Sequence, residues 1–144
     1  MLVYFDICAI QRPLDDASQL RVQLEAEAVL GLLADARVRL LASDVHYIET
    51  RRNPHPNRRD YALEVLSLAE TVVPVTDRVS ARAAAYVGLG IKPADALHLA
   101  AAVEHDAEVF CTTDDALYKK ARRADTRATR VVTPLELTIH LSQS

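Results

Sequence analysis

Features that would point to a membrane, a secreted or a strongly basic protein are missing from this chain of 144 residues. No apolar run approaches the roughly 20 residues that a membrane-spanning helix needs. The N-terminus lacks a basic segment followed by an apolar one, so nothing indicates secretion. The net charge is −3, so no overall positive field attracts nucleic acid, and any such binding requires local basic patches. These absences predict a cytoplasmic protein that does not enter a membrane.

The common motifs of nucleotide binding and acyl transfer are absent as well. The chain has neither G-x-x-x-x-G-K-S/T nor G-x-G-x-x-G, so we do not expect a nucleotide held in a glycine-rich loop. It has no G-x-S-x-G elbow for a nucleophilic serine. Aromatic residues make up 5% of the chain, which does not favour sequence recognition through stacked bases.

The chain has two cysteines, and neither indicates chemistry. Cys8 and Cys111 each lie beside a predicted strand and do not have the spacing of a metal site. The simplest interpretation is a pair of buried thiols in a reducing compartment. Cys8 has no obvious basic partner nearby in the sequence, so we do not expect it to act as a thiolate nucleophile.

The sequence does contain a regular alternation of short apolar runs and helical patterns. Strands of four or five residues separated by helices are typical of βα units, and they predict an α/β protein with a mostly parallel five-stranded sheet. The length predicts a single domain over residues 1–144, with a core of its own. The predicted strands cover residues 2–5, 38–42, 71–75, 109–112 and 130–132, and the predicted helices cover about 18–35, 44–51, 58–70, 77–86, 94–105, 115–124 and 134–141.

Prolines and polar segments refine this outline. Pro74 lies in the third predicted strand and indicates an edge position, because proline cannot donate a ladder hydrogen bond. Pro93 suits the first turn of the helix that follows it. Residues 11–16 read as a polar turn between the first strand and the first helix.

Four acidic residues stand where an α/β sheet places its ligands. Asp6 directly follows the first predicted strand, and Asp114 ends the run Val109-Phe-Cys-Thr-Thr that contains the fourth. Asp95 opens a helix after a proline, and Glu49 lies on the helix after the second strand. Carboxylates gathered at one sheet edge repel one another unless protons or a cation neutralise them. The simplest hypothesis is a site for a hard divalent ion such as Mg²⁺ or Mn²⁺.

Each of these acids also has a purely structural interpretation. Asp6 suits a cap on the loop backbone, and Asp95 suits the dipole of the helix that it opens. Asp114 or Asp115 suits the N-cap of the following helix. Glu49 on its own reads as a solvated helical glutamate. Only their coincidence at one edge of the predicted sheet favours a shared site.

The histidines raise a different metal hypothesis. His46 precedes Glu49 by three residues, and His98 follows Asp95 by three, a spacing found in di-iron helical bundles. Such bundles need four long helices, whereas strands interrupt this chain repeatedly. We therefore expect His98 to be a hydrogen-bonded residue packed near the core, without a catalytic role.

Pairs of basic residues flank the predicted acidic site. Most such pairs are solvated helix faces. However, basic residues around an acidic metal site suit a polyanion, because they can bind the phosphates next to the one at the metal. Arg12, in the loop after Asp6, is a further candidate for binding these phosphates. The pairs are Arg51-Arg52, Arg58-Arg59, Lys119-Lys120 and Arg122-Arg123.

Four segments contain the acids described above: Val-Tyr-Phe-Asp6, Ser43-Asp-Val-His-Tyr-Ile-Glu49, Pro-Ala-Asp95-Ala-Leu-His-Leu-Ala-Ala-Ala and Thr112-Thr-Asp114. Together they resemble the PIN-domain ribonucleases, and within them the VapC-type toxins of bacterial toxin–antitoxin pairs. The resemblance covers essentially the whole chain, and it depends on the order and spacing of the four segments rather than on any one of them.

The resemblance implies a three-layer α/β/α sandwich around a parallel five-stranded sheet, and an RNA-cleaving activity that depends on Mg²⁺ or Mn²⁺. It implies that Asp6, Glu49, Asp95 and Asp114 form the acidic site, with Asp115 as a possible auxiliary ligand. It also implies a homodimer and a cognate antitoxin as partners. Cys8 departs from the family pattern, because many members carry serine or threonine there and a thiol is a poor ligand for a hard ion.

The resulting hypothesis is hydrolysis of RNA phosphodiesters by metal-activated water, with the ions on Asp6, Asp95 and Asp114. Arg12, Arg51 and Arg52 are the predicted substrate-binding residues. Two alternatives stay open. One is a catalytically silent RNA- or partner-binding domain of the same fold, and the other is a receiver domain phosphorylated on aspartate, which would need a lysine that the end of the last strand does not supply.

Overall fold

Five short strands build the sheet, in a computed structural model that describes residues 1–143. They are β1 (Leu2–Phe5), β2 (Arg39–Ser43), β3 (Thr71–Val73), β4 (Val109–Cys111) and β5 (Arg130–Val132). All neighbouring strands pair in parallel, in the order β3-β2-β1-β4-β5. The predicted α/β class and five-stranded sheet are confirmed, and β3 with its following Pro74 lies at the edge, as predicted.

The strand order reverses between β1 and β4. Successive strands run outward from β1 through β2 to β3, and the chain then returns to β4 on the other side of β1. In open parallel sheets such a reversal leaves a crevice beyond the carboxyl ends of the two central strands, where ligands bind. Phe5 pairs with Cys111 at this point, so the residues that follow them begin side by side.

Eight α-helices and one short 3₁₀ helix accompany the strands within residues 1–143, and the last of them follows β5. The α-helices are α1 (Ile7–Gln11), α2 (Leu20–Ala34), α3 (Asp44–Arg51), α4 (Pro56–Leu66), α5 (Asp77–Gly88), α6 (Pro93–Glu104), α7 (Asp115–Ala121) and α8 (Pro134–Ser142), and the 3₁₀ helix is Arg12–Leu14. None of the helices in these residues has the length and apolar character required to cross a membrane.

Two hydrophobic cores lie on opposite faces of the sheet, which gives the three layers. Tyr4 and Phe110 point into the core formed with α5, α6 and α7. Val3 and Phe5 point into the core formed with α1, α2, α4 and α8. Because successive strand residues face opposite sides of the sheet, each continuously apolar strand contributes side chains to both cores. Fully burying each Val, Leu or Phe side chain contributes about 1.5–3 kcal/mol.

The structure differs from the sequence prediction mainly after β1. The predicted polar turn over residues 11–16 is partly wrong, because Ile7–Gln11 is an α-helix and Arg12–Leu14 continues it as 3₁₀. A helix of five residues is too short to show a periodic pattern in the sequence. The helix predicted over residues 58–70 begins earlier, at Pro56, and ends at Leu66.

The buried face of helix α2 includes a glutamate but not the first two leucines of the helix. Leu20 and Leu24 are exposed, whereas the buried positions are Glu25, Ala28, Val29 and Leu32. A buried glutamate is costly unless it is paired, and Glu25 lies within salt-bridge distance of two arginines.

Candidate functional site

Asp6 and Asp114 lie beyond the carboxyl ends of β1 and β4 and are linked through Thr112. The Asp6 side chain caps α1 by accepting a hydrogen bond from the Ala9 backbone N–H to Oδ1 (2.9 Å). Its Oδ2 accepts from the Thr112 hydroxyl (2.6 Å), and Thr112 Oγ1 in turn accepts from the Asp114 N–H (3.0 Å). The Asp114 side chain caps α7 by accepting from the Leu117 N–H (3.0 Å). The structural roles considered from sequence for these two acids are therefore present.

Asp95 and Glu49 reach the same region from two helices. Asp95 lies in the first turn of α6, half-buried. Glu49 lies on α3, with its side chain 40% exposed, and its Oε2 is 2.5 Å from Nε2 of the buried His98. The expectation that His98 is a buried, hydrogen-bonded residue is confirmed.

The electrostatics of the site show that these carboxylates are close enough to repel one another. Burial raises the pKa of Asp6 to about 7, with a further upward contribution from the charge of Asp95, although its hydrogen bonds to Thr112 and Ala9 oppose the shift. Burial and the charges of Asp114 and Glu49 likewise raise the pKa of Asp95. In both cases burial is the largest cause of the shift, and the neighbouring carboxylates add to it.

Cys8 reports the same negative field. Loss of hydration raises the pKa of this thiol to about 12, and the charges of Asp6, Asp114, Asp95 and Glu49 all add to the increase. The expectation that Cys8 is buried is wrong, since it is exposed beside the acids, whereas Cys111 is buried in the sheet. Because the thiol stays protonated, Cys8 is neither a thiolate nucleophile nor a ligand for a hard cation.

The acids are neighbours, but within residues 1–143 no group of three or more His, Cys, Asp or Glu side chains has the geometry to hold a metal ion. The caps on Ala9 and Leu117, and the bond from His98, already engage oxygens of Asp6, Asp114 and Glu49. The donor chemistry nevertheless fits Mg²⁺ or Mn²⁺, because every candidate ligand is a carboxylate and the buried Asp6 carries a raised pKa that a cation would lower. An ion would therefore have to rearrange these side chains on binding.

Asp115 points away from this group into an ion pair with α2. Both of its carboxylate oxygens accept from Arg21, at 2.8 and 2.6 Å. The Arg21 guanidinium lowers the pKa of Asp115. An auxiliary role for Asp115 on a metal ion would require release from Arg21.

Arg12 belongs to a network of ion pairs at one side of the site. Its guanidinium lies 2.9 Å from Asp15 and 3.0 Å from the buried Glu25. Arg21 also approaches Glu25, at 3.4 Å, and Arg58 contacts Asp15 at 2.9 Å. Arg12 therefore has a structural role in addition to the substrate-binding role predicted for it.

Replacing Arg12 with alanine is expected to lower the free energy of unfolding by about 2 kcal/mol. Removing one partner of a buried ion pair usually costs about 3–5 kcal/mol, but here Arg21 still faces Glu25 and Arg12 is 18% exposed, which reduces the loss. Urea denaturation at pH 7 measures the change. Arg52→Ala, on an exposed residue, is the control and should shift stability by less than about 0.5 kcal/mol. Equal effects of the two substitutions would contradict the structural role of Arg12.

Arg51 and Arg52 lie at the end of α3, one turn beyond Glu49, and both are exposed. The Arg51 guanidinium sits over the Tyr47 ring, 5.6 Å from its centroid. Arg58 and Arg59 follow on α4, after the break at residues 53–55. This segment concentrates positive charge beside an acidic group in a chain whose net charge is −3.

Sequence reasoning missed residues that connect the acids to the core. Thr112 joins Asp6 to Asp114, and its place in Thr112-Thr-Asp114 was the only available indication. Tyr4 bonds to both Ser43 and His98, at 2.7 and 2.5 Å. Nothing in the sequence marks these contacts, because the partners are 39 and 94 residues apart.

The comparisons with known proteins agree with this architecture. Residues 20–123 match the PIN domain family, and the chain belongs to that family. Its fold is similar to the crystal structure of VapBC2 from Rickettsia felis bound to a DNA fragment from their promoter. That match has a TM-score of 0.53 and 15% sequence identity, and covers 91% of this chain and 98% of that one. Among curated proteins, none matches the sequence.

Proposed function

We propose that this PIN domain, over residues 1–144, is a metal-dependent endoribonuclease and the toxin of a toxin–antitoxin pair. The observation that carries the proposal is the grouping of Asp6, Glu49, Asp95 and Asp114 where the strand order of the sheet reverses. Loss of hydration is the main cause of the rise in the pKa of Cys8 to about 12, and the charges of all four acids add to it, which places them around one point. PIN domains are typically nucleases, and an uncompensated group of carboxylates is the chemistry that a divalent ion neutralises.

In the proposed site, Asp6, Asp95 and Asp114 would hold Mg²⁺ or Mn²⁺, and Asp115 would be an auxiliary ligand if Arg21 released it. The ion, when bound, supplies an activated water and stabilises the charge that develops on the phosphate oxygens. Glu49 orients the attacking water. Thr112 keeps Asp6 in place by donating its hydroxyl proton to Oδ2.

The basic residues around the acids supply the contacts to RNA. Arg51 and Arg52 are exposed and have room to bind phosphates that flank the scissile one. Arg12 would take part only by exchanging Asp15 or Glu25 for a phosphate. Because these contacts are to the backbone, they provide affinity rather than sequence recognition.

The proposed partners are a cognate antitoxin protein and a second copy of this chain. Two findings support them: the resemblance of the four acidic segments to VapC-type toxins, and the likeness of the fold to the VapBC2 structure. Co-expression with the product of the neighbouring gene, followed by copurification, tests the antitoxin, and light scattering tests the homodimer.

A catalytically silent binding domain is the second candidate function. It is favoured by one observation: within residues 1–143, no group of side chains is ready to hold an ion, while Asp6 and Asp114 serve as helix caps. In this alternative the acids would be structural, and the arginines of α3 and α4 would bind a polyanion without cleaving it.

Incubation of the purified protein with end-labelled RNA separates the two candidates. The nuclease should cleave internally when Mn²⁺ or Mg²⁺ is present, stop when EDTA removes the ion, and resume when excess metal is restored. Calorimetric titration of Mn²⁺ into the metal-free protein measures binding independently. RNA retention without cleavage, together with no heat of Mn²⁺ binding, would favour the silent domain.

A further inference from the structure

A buried hydrogen-bonded chain ends at the Glu49 carboxylate. It begins at Ser43, the last residue of β2, whose hydroxyl is 2.7 Å from the Tyr4 hydroxyl on β1. The Tyr4 hydroxyl is 2.5 Å from Nδ1 of His98 on α6, and Nε2 of the same ring is 2.5 Å from Glu49 Oε2 on α3. Ser43, Tyr4 and His98 are at most 1% exposed, so this chain crosses the core and emerges only at Glu49.

The Glu49 carboxylate fixes the direction of the hydrogen bond at its own end of the chain. A glutamate carboxylate only accepts, so the His98 ring nitrogen that faces it, Nε2, must carry a proton and donate. In the tautomer that carries its proton on Nε2, Nδ1 accepts from the Tyr4 hydroxyl. Tyr4 Oη in turn accepts from the Ser43 hydroxyl. Burial raises the pKa of Tyr4 well above its usual value, which keeps its hydroxyl protonated and able to donate.

Aromatic packing holds the same rings in place. The Tyr4 ring stacks on His46 with centroids 4.3 Å apart, and His98 meets Tyr4 edge to face at 5.7 Å. His46 is itself fixed, since its Nδ1 accepts from the Ser43 N–H (3.1 Å) and its Nε2–H donates to the Phe5 carbonyl (2.6 Å). Burial lowers the pKa of His46 to about 3, so this ring remains a neutral support.

We propose that His98 is a positioning residue that holds the Glu49 carboxylate in one orientation, and that Tyr4 and Ser43 hold the His98 ring for this task. A glutamate on a helix surface otherwise samples many rotamers, because its side chain has three rotatable bonds. The hydrogen bond from the buried Nε2–H restricts Glu49 although its side chain is 40% exposed. The catalytic consequence of this restriction depends on the proposed nuclease function, whereas the hydrogen-bonded chain itself does not.

The chain can be tested in the metal-free protein, without any activity. Long-range ¹H–¹⁵N spectra of uniformly ¹⁵N-labelled protein report which ring nitrogen of each histidine is protonated. We expect His98 to carry its proton on Nε2, and Glu49→Ala to shift that signal and to speed its exchange with water. Tyr4→Phe keeps the stacked rings but removes the donor to Nδ1, so it should shift the Nδ1 resonance. A proton on Nδ1 in the wild type, or no response to Glu49→Ala, would overturn the proposal.

The effect on catalysis is tested with two amides of different reach. In His98→Gln the amide nitrogen reaches the position of Nε2 and can still donate to Glu49, whereas in His98→Asn the amide ends near Nδ1. Loss of an orienting hydrogen bond typically costs about 10- to 100-fold. We expect His98→Asn to lower kcat by that amount with KM unchanged, and His98→Gln to retain most of the activity.

His105→Gln, at the opposite end of the same helix, is the matched control and should leave kcat unchanged. Circular dichroism establishes that each variant is folded. Equal losses in both His98 variants, or full activity in His98→Asn, would count against positioning through Nε2. If the wild type cleaves no RNA, the proposed function fails, and the histidine spectra still decide whether the chain exists.

Discussion

Asp6→Asn is expected to lower RNA cleavage by at least about a thousandfold, because it removes the central charge of the proposed metal site. A bound divalent ion supplies several kcal/mol of stabilisation to the transition state, and each 1.4 kcal/mol corresponds to about tenfold in rate. Asp6 is the most buried of the four acids, and it lies beside the ends of β1 and β4. Within residues 1–143 no other acidic residue directly follows β1.

The same substitution is expected to leave the fold intact. Asparagine has nearly the shape of aspartate, and its carbonyl oxygen can still accept from the Ala9 N–H that caps α1. Its amide can donate to Thr112 Oγ1, which has one lone pair left beside the bond from the Asp114 N–H, and the Thr112 hydroxyl proton then turns away from residue 6. The substitution also removes a charge whose burial is costly, as the raised pKa of Asp6 shows. A loss of cleavage would therefore report on the metal site rather than on unfolding.

The comparison needs a metal titration and a matched acid-to-amide control. Cleavage of end-labelled RNA should be measured across a range of Mn²⁺ concentrations, so that weak binding is not mistaken for a missing ligand. Asp106→Asn serves as the control, because Asp106 is exposed beyond the far end of α6 and its φ of 59° suits asparagine equally well. Wild-type cleavage by Asp6→Asn at any metal concentration would refute a metal site built on Asp6.

The strand ends were predictable from sequence because apolar runs and the acids that follow them are local features. Asp6 directly follows the first strand, and Asp114 lies shortly after the fourth, so parallel strands alone bring them to one edge. Glu49 and Asp95 were placed near the same edge by two predicted helices, one after β2 and the other before β4. The family resemblance added the fold layers, which the two cores confirm.

What sequence reasoning did not predict depends on side chains that meet across long stretches of chain. The Glu49–His98 contact spans 49 residues and the Asp6–Thr112 contact spans 106, and neither has a local pattern. Glu25 reads as one more polar position on a helix, yet it is 2% exposed because arginines from two segments cover it. The helix α1 was hidden for the opposite reason, since five residues are too few to display a period.

Stability of the metal-free protein is expected to fall as the pH rises from about 4 to 8, and Asp6 is a principal cause. Burial raises the pKa of Asp6 from 3.8 to about 7 in the folded protein. Below pH 4 the carboxyl is protonated in both states and burial costs little. Between the two pKa values, 3.8 and about 7, the unfolded chain releases the proton while the folded protein keeps it, so folding becomes less favourable as the pH rises. Above pH 7 the full cost remains, about 4 kcal/mol for a shift of about three units.

Asp6→Asn isolates this contribution, because the amide does not titrate. The free energies of unfolding of the wild type and of Asp6→Asn should be measured by urea denaturation in EDTA. Between pH 4 and pH 8 the free energy of unfolding of Asp6→Asn should rise by about 4 kcal/mol relative to that of the wild type. Mn²⁺ should then stabilise the wild type more at pH 8 than at pH 5.5, because the ion binds the ionised carboxylate and must displace a proton at lower pH. Parallel pH profiles for the two proteins would show that Asp6 is ionised in the fold without a cation, and the electrostatic argument for a metal at this position would fail.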